Sequence, residues 1–288
     1  TESLCGQEDG GAELLVPMMT GERPVGVLIA QFDDVEKTND SHMTRLLSSV
    51  LHQAASACEN TRLLDQLSNV IVDVVIAMAL AIESRDPYTG GHVMRVTAYS
   101  VMLGETVGLG RRELLRLHLG GLLHDIGKVA IPDRILGKPG RLDDEEFEIM
   151  KSHAAVGHEI IRPIPQLACI SDIVRHHHER FDGRGYPDGL AADRIPQLAR
   201  VAAIADSFDA MTSDRPYRKG MAYAKALEEI RRCAGAQFDP DLAAAFVEGP
   251  EDRFERAVRD MHRWQEGQQR PAAGELIELL NCSDVSEG

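Results

Sequence analysis

Aromatic residues are scarce in this chain: seven Phe, five Tyr and one Trp among 288 residues. A core must then be packed with Leu, Ile, Val, Ala and Met. Positive charge is also short, with 31 Lys and Arg against 46 Asp and Glu and a formal net charge of −15. That balance argues against a general nucleic-acid binder, which needs a basic face, so neither DNA nor RNA is an expected partner. Phosphate chemistry in such a chain requires a local positive centre, and bound metal ions supply one. Cys5, Cys58, Cys169, Cys233 and Cys282 are scattered, odd in number and form no CxxC pair. They read as free thiols in a reducing compartment, which predicts a cytoplasmic protein. No apolar run reaches the roughly 18 residues of a membrane span, so no span is expected. The chain opens at Thr1 without Met or a signal-peptide pattern and reads as a fragment cut from something longer.

What remains is ordinary for a globular protein, 43% hydrophobic and 27% charged, and long enough for one large domain or two smaller ones. Glu13–Met18 and Pro24–Ala30 are short β-type runs joined by the turn signal Thr20-Gly21-Glu22. So small a hairpin cannot stand alone, and partner strands should precede it or come from elsewhere. From about Asp40 to Ser84 there is neither Pro nor Gly. Apolar or small residues recur there at Leu47, Val50, Ala54, Ala57, Leu64, Ile71, Val75 and Met78, with Thr61 and Ser68 as polar positions. The spacing fits a heptad seam. It describes either a helix packing on its own domains or a parallel dimer helix that carries a signal between them.

From Gly91 onward no alternating strand pattern is present, so an all-helical domain is expected. Asp143 with Glu146 forms a capping box for a helix bearing His153. Pro196 opens another helix, on which Asp206 and Asp209 share a face. Asp239 and Pro240 start a third. Beyond about residue 250 a charged helix fades into a polar tail.

The run Leu122-Leu123-His124-Asp125-Ile126-Gly127-Lys128 ends an apolar helix in an adjacent His-Asp pair. Helix neighbours diverge by about 100°. The pair serves one centre only near the helix end, or if two metals lie side by side; otherwise it is a hydrogen-bonded core pair. The other candidates decide. His92, His124 with Asp125, His153, His177 with His178, and Asp206 lie on five helical segments. A lone histidine on a helix is usually core or surface, but five inward-facing segments are harder to explain that way. Mixed imidazole and carboxylate donors suit Fe, Mn or Zn better than Ca or Mg. One ion takes at most about six ligands, so the set fits two ions bridged by a carboxylate, with Asp125 the natural bridge. Two metals about 3.5–4 Å apart bind a hydroxide and clamp a phosphoryl group.

Three runs together resemble the HD-GYP family, a branch of the HD phosphohydrolases that hydrolyses cyclic di-GMP. They are His124–Lys128, His177-His178-Glu179-Arg180-Phe181-Asp182-Gly183-Arg184-Gly185-Tyr186-Pro187, and Ala205-Asp206-Ser207-Phe208-Asp209-Ala210-Met211-Thr212. The resemblance implies a mainly α fold: an all-helical HD-type bundle over about 75–250, with a C-terminal helix and tail over 251–288. Residues 1–60 resemble part of a GAF domain, a small α/β sensor module, though an unrelated hairpin would read similarly. The long helix, about 41–84, would connect the two.

The implied metal ligands are His92, His124, Asp125 and Asp206 on one side and His153, His177 and His178 on the other, with Asp125 bridging. The consecutive His176 leaves a shifted register open. The implied cofactors are two divalent transition ions, Fe or Mn first, with Zn, Ni or Co also accepted. Lys128 would sit near the scissile phosphate, a solvated loop lysine being the plainer alternative. Asp209 would orient Lys128 or a histidine tautomer. Arg215 and Arg218 would meet substrate phosphates or guanine, although surface arginines fit those positions as well. Gly185-Tyr186-Pro187 would shape the pocket wall, with Tyr186 against substrate, and offer a surface to a protein partner. Some relatives hold a third metal through a glutamate where this chain has Tyr88, so a binuclear site is expected. The implied reaction is metal-assisted hydrolysis of cyclic di-GMP to linear pGpG and onward to GMP, catalysed by Asp125 and Lys128 in a homodimer joined through the long helix. The alternatives are a non-catalytic cyclic di-GMP sensor and an HD-type phosphohydrolase acting on dNTPs or guanosine tetraphosphate.

Overall fold

A computed structural model describes residues 4–8, 11–32, 41–86, 90–214 and 219–268. Tyr88, Arg215, Arg218 and the polar tail fall outside them. The described chain forms two compact units, parting between Asn69 and Val70.

In the first unit, β1 (Leu4–Glu8), β2 (Gly11–Thr20) and β3 (Arg23–Phe32) form an antiparallel sheet in that order. Gly21 turns the β2–β3 hairpin at φ 59, a left-handed geometry that glycine adopts without steric cost. β1 supplies the preceding partner strand the hairpin needed, pairing from Leu4 with Leu15 to Glu8 with Gly11. Leu4-Cys5-Gly6-Gln7-Glu8 alternates too weakly to be read as a strand from sequence. Leu14 and Val16 point to one side and are buried with Leu51 of the following helix.

That helix, α1 (Ser41–Glu83), runs unbroken for 43 residues and carries two apolar stripes. One is buried: Leu51 and Ala55 in the first unit, then Val72, Val75, Ile76 and Ala79 in the core of the second. The other is exposed, through Val50, Leu64, Leu67, Ile71, Val74 and Met78. Val75, expected in the seam, is 5% exposed and belongs to the core; its neighbour Val74 takes the exposed place. Ser68, expected at a polar seam position, is also buried, and Leu67 is exposed in its stead. Within Arg45–Glu83, length and composition suffice to cross a bilayer, because two apolar stripes share one helix and one of them packs into the core.

The second unit comprises α2 (His92–Thr106), α3 (Arg111–Leu123), α4 (Asp133–Leu136), α5 (Asp144–Ile161), α6 (Ser171–His176), α7 (Gln197–Thr212), α8 (Tyr223–Arg232), α9 (Pro240–Val247) and α10 (Asp252–Gln265), after the last part of α1. Among its described residues there are only isolated β-bridges, as the missing alternation predicts. Asp143 accepts from the Glu146 amide while Glu146 accepts from the Asp143 amide, the expected capping box. Asp239 caps α9 through the Asp241 and Leu242 amides.

The core is aliphatic, but its few aromatics are gathered in one place. Phe208 stacks on Phe254 at 4.7 Å and meets Tyr99, Tyr223 and Phe246 edge-on or tilted. Phe254, Met261 and Trp264 seat α10 in this same core.

Candidate metal centre and cleft

The chain turns sharply where the His-Asp pair sits. His124 follows the last residue of α3, and Asp125 precedes a 3-10 turn, Ile126–Ala130. The helix-end solution therefore holds, with His124 Nε2 lying 3.3 Å from Asp125 Oδ2. Gly127 makes the turn fit. A Cβ there would stand 1.9 Å from the His153 carbonyl oxygen and 2.6 Å from the Gly157 nitrogen of α5. Only a residue without a side chain lets turn and helix meet backbone to backbone, which brings Asp125 to His153.

The imidazoles are oriented by their own helices. His124, His153 and His177 each place Nδ1 near the carbonyl oxygen three residues back, on Gly121, Met150 and Val174, at 2.7, 2.7 and 2.8 Å. A carbonyl only accepts, so each Nδ1 carries the proton and each Nε2 offers a lone pair. His92, the first residue of α2, donates from Nδ1 to Asp209 Oδ2 at 2.7 Å. Its Nε2 stands 3.4 Å from Asp206 Oδ1 and 3.9 Å from Asp125 Oδ2.

Two donor sets result. Asp125, His153, His177 and His178 form one, and His92, His124 and Asp125 the other; within each set the donor atoms lie within 4.8 Å of one another. Asp125 belongs to both. Asp206 falls outside both sets, although its Oδ1 lies beside His92 Nε2.

The donors fit a divalent metal on their own chemistry. The Nε2 atoms of His153 and His177 face each other at 3.5 Å, two lone pairs with no proton between them. His124 Nε2 is buried and makes no hydrogen bond. Orphaned acceptors converging in a buried site call for a cation.

Electrostatics points the same way. Burial, reinforced by neighbouring imidazoles, pushes His177 and His178 well below the ordinary histidine range, and burial also lowers His153. These rings stay neutral, as ligands must. Burial opposes the charge on Asp125, yet Lys128 and His124 beside it hold its carboxyl well below the usual range. His124 is the exception: burial opposes its charge, but Asp125 and Asp206 raise its pKa to about 9, so its Nε2 would have to give up a proton to a bound cation.

Lys128 Nζ lies 2.7 Å from Asp125 Oδ2 and 3.5 Å from Asp86 Oδ2. It lines a cleft of about 360 Å³ with Asp125, His153, Asp206 and Tyr186 among its walls. Tyr186 lies over His178 at 4.8 Å between ring centroids. Its loop is held from below by buried Glu179, which accepts from the Asp188 and Leu190 amides.

The register of the three histidines is also clear. His176 turns to Asp188 and the Asp172 carbonyl, whereas His177 and His178 enter the cluster.

Asp209 orients His92 rather than Lys128. It is held in turn by Arg95, which the sequence reading missed. Arg95 sits three residues after His92 on α2, a spacing that puts both on one helix face. Lys138 and Asp86, also unremarked in the sequence, line the cleft.

Residues 77–242 match the HD domain family, and the chain belongs to it. It is 39% identical over 198 residues to a cyclic di-GMP phosphodiesterase of Pseudomonas aeruginosa, covering 68% of this chain and 48% of that protein. A cyclic di-GMP phosphodiesterase of Thermotoga maritima is 38% identical over 202 residues, 69% of this chain and 53% of the relative. A 3′3′-cGAMP-specific phosphodiesterase of Vibrio cholerae is 38% identical over 208 residues, 71% of this chain and 40% of the relative. The chain thus spans about half the length of these curated relatives. Among solved structures, a cyclic GMP-AMP-specific phosphodiesterase from V. cholerae superposes with a TM-score of 0.52 at 18% identity, over 72% of this chain and 57% of that one, a likeness of fold.

Proposed function

We propose that this chain is a metal-dependent phosphodiesterase of the HD-GYP branch that hydrolyses cyclic di-GMP to linear pGpG and onward to GMP. One observation carries the reading: two sets of buried donors share Asp125 at a cleft into which Lys128 also projects. In this reading His92, His124, Asp125 and Asp206 hold one divalent ion, and Asp125, His153, His177 and His178 a second, Fe or Mn being favoured by the donor types. Bound there, the ions supply a water-derived nucleophile at neutral pH and positive charge for the phosphoryl group.

The chain's own groups do the rest. Asp125 keeps its charge, so it can bridge. Lys128 stays protonated, because Asp125 and Asp86 outweigh its burial, and faces the negative charge gained by the phosphoryl oxygens. Tyr186 presents a ring to a base, and Arg215 and Arg218 are assigned to the phosphates or guanine.

The test is chromatography of cyclic di-GMP after incubation with anaerobically purified, Mn- or Fe-loaded protein. Linear pGpG should appear, and Asp125→Ala should abolish both turnover and metal content. Turnover at the native rate in that variant would exclude the reading. 3′3′-cGAMP belongs in the same panel, since a relative bears that name.

The same reading assigns 1–60 to a GAF-like sensor, the exposed stripe of α1 to a homodimer seam, the Gly185-Tyr186-Pro187 loop to a protein partner, and the whole to the cytoplasm.

A further inference from the structure

Two residues past the end of α1, one guanidinium holds the turn that follows the His-Asp pair. Arg85 Nη1 donates to the carbonyls of Lys128 at 3.2 Å and Val129 at 3.1 Å, and Nη2 to the carbonyl of Ile131 at 3.1 Å and to Asp133 Oδ1 at 2.7 Å. Arg85 is itself an extension of the helix, since its amide donates to Ile82 O at 3.1 Å. Its neighbours reach the same region. Asp86 Oδ2 faces Lys128 Nζ at 3.5 Å, and Glu83 Oε1 accepts from the Val93 amide at 3.0 Å, beside His92. The 3-10 turn is thus gripped from two sides, by the backbone of α5 at Gly127 and by Arg85 at its carbonyls. A planar fork with several fixed donors suits this task, and the single ammonium of lysine does not.

We propose that Arg85 is a positioning residue: it fastens the turn bearing Lys128 to the end of α1, so that the place of Nζ beside Asp125 depends on the seating of the long helix. The kinetic part rests on the phosphodiesterase reading; the structural part does not.

The experiment uses the whole chain loaded with Mn and carrying Arg85→Met, Lys128→Ala, or both. For Arg85→Met, kcat on cyclic di-GMP should fall tenfold or more, while KM and Mn per chain stay within twofold, because Asp125, the ligand nearest the turn, precedes it and Arg85 bonds only to residues from Lys128 onward. Amide hydrogen exchange should quicken over residues 127–136 and remain unchanged elsewhere. In the Lys128→Ala background, adding Arg85→Met should cost less than twofold, since both act through one group. Arg85→Lys, which keeps the charge facing Asp133, should show the same pattern more weakly and serves if the methionine variant fails to fold. Native kcat in Arg85→Met, losses that multiply in the double variant, or unchanged exchange over 127–136 would each overturn the proposal. If the native chain cleaves no cyclic dinucleotide, the functional reading falls, and the exchange measurement alone decides the role of Arg85.

Discussion

Arg95 grips Asp209 with two nitrogens, Nε at 2.6 Å from Oδ1 and Nη2 at 3.2 Å from Oδ2, while Asp209 takes the Nδ1 proton of His92. Asp209 is 1% exposed and is kept ionised against its burial by His92 and Arg95. The chain Arg95–Asp209–His92 fixes which nitrogen of His92 faces the cluster. Arg95 also donates to Gly90 O and Ser213 Oγ, so it is held in place at both ends.

Arg95→Met should therefore loosen a metal ligand it never touches. Outer-shell losses of this kind typically cost about 10–100-fold in metal affinity or activity. Competitive titration of Mn against a fluorescent chelator measures it. An affinity equal to the native one would show that His92 is oriented without this pair.

Gly127→Ala should be among the costliest small substitutions in the chain. Its methyl has backbone, not a flexible side chain, in its way. Turn and α5 must separate, which should cost about 3 kcal/mol or more and part Asp125 from His153. Urea unfolding gives the first number and metal content the second. At Gly110 a Cβ would meet only Glu113 Oε2 at 3.6 Å, so Gly110→Ala should behave almost as native.

Acidification should weaken the fold before the carboxylates titrate. His118 stacks on Trp264 at 4.7 Å beside a second cavity of about 430 Å³, and burial pushes its pKa down to about 4. Unfolded, the ring titrates near 6.5. Between those values the unfolded chain binds a proton that the folded chain refuses, so stability rises with pH across this window and is lost as pH falls through it. From pH 7 to pH 5 this group contributes a loss of about 2 kcal/mol. His118→Phe should reduce the drop in Tm between those two pH values; an unchanged drop would assign it to other groups.

The exposed stripe of α1 makes the proposed homodimer testable at single positions. Leu67 is 57% exposed, so Leu67→Glu should leave the fold intact and turn a dimer into a monomer by light scattering. Val75→Glu, about two turns further on but in the core, should instead unfold the second unit. A Leu67→Glu protein of unchanged mass would remove the seam from the interface.

The helices, their caps and the converging histidines were legible because each rests on local chemistry: capping pairs, periodicity, and donor residues at helix ends. The donor atoms of His92, His124, His153, His177 and His178 meet around Asp125, four of the five expected segments, while Asp206 approaches through His92. Less local features escaped. β1 exists because β2 offers it an edge, and its own residues barely alternate. Arg95 and Arg85 act across more than forty residues of chain, a reach no spacing rule contains. The stripe on α1 was misplaced by one residue at Val75 because both Val74 and Val75 are apolar. Only the packed bundle reveals which of the two is turned inward.

The two stripes of α1 also constrain how any signal can travel along it. Successive residues are about 100° apart, so swivelling the rod by one position would drag Val72, Val75, Ile76 and Ala79 out of their sockets. Swivel is thereby penalised, and the last turn of the rod is tied to the fork of Arg85.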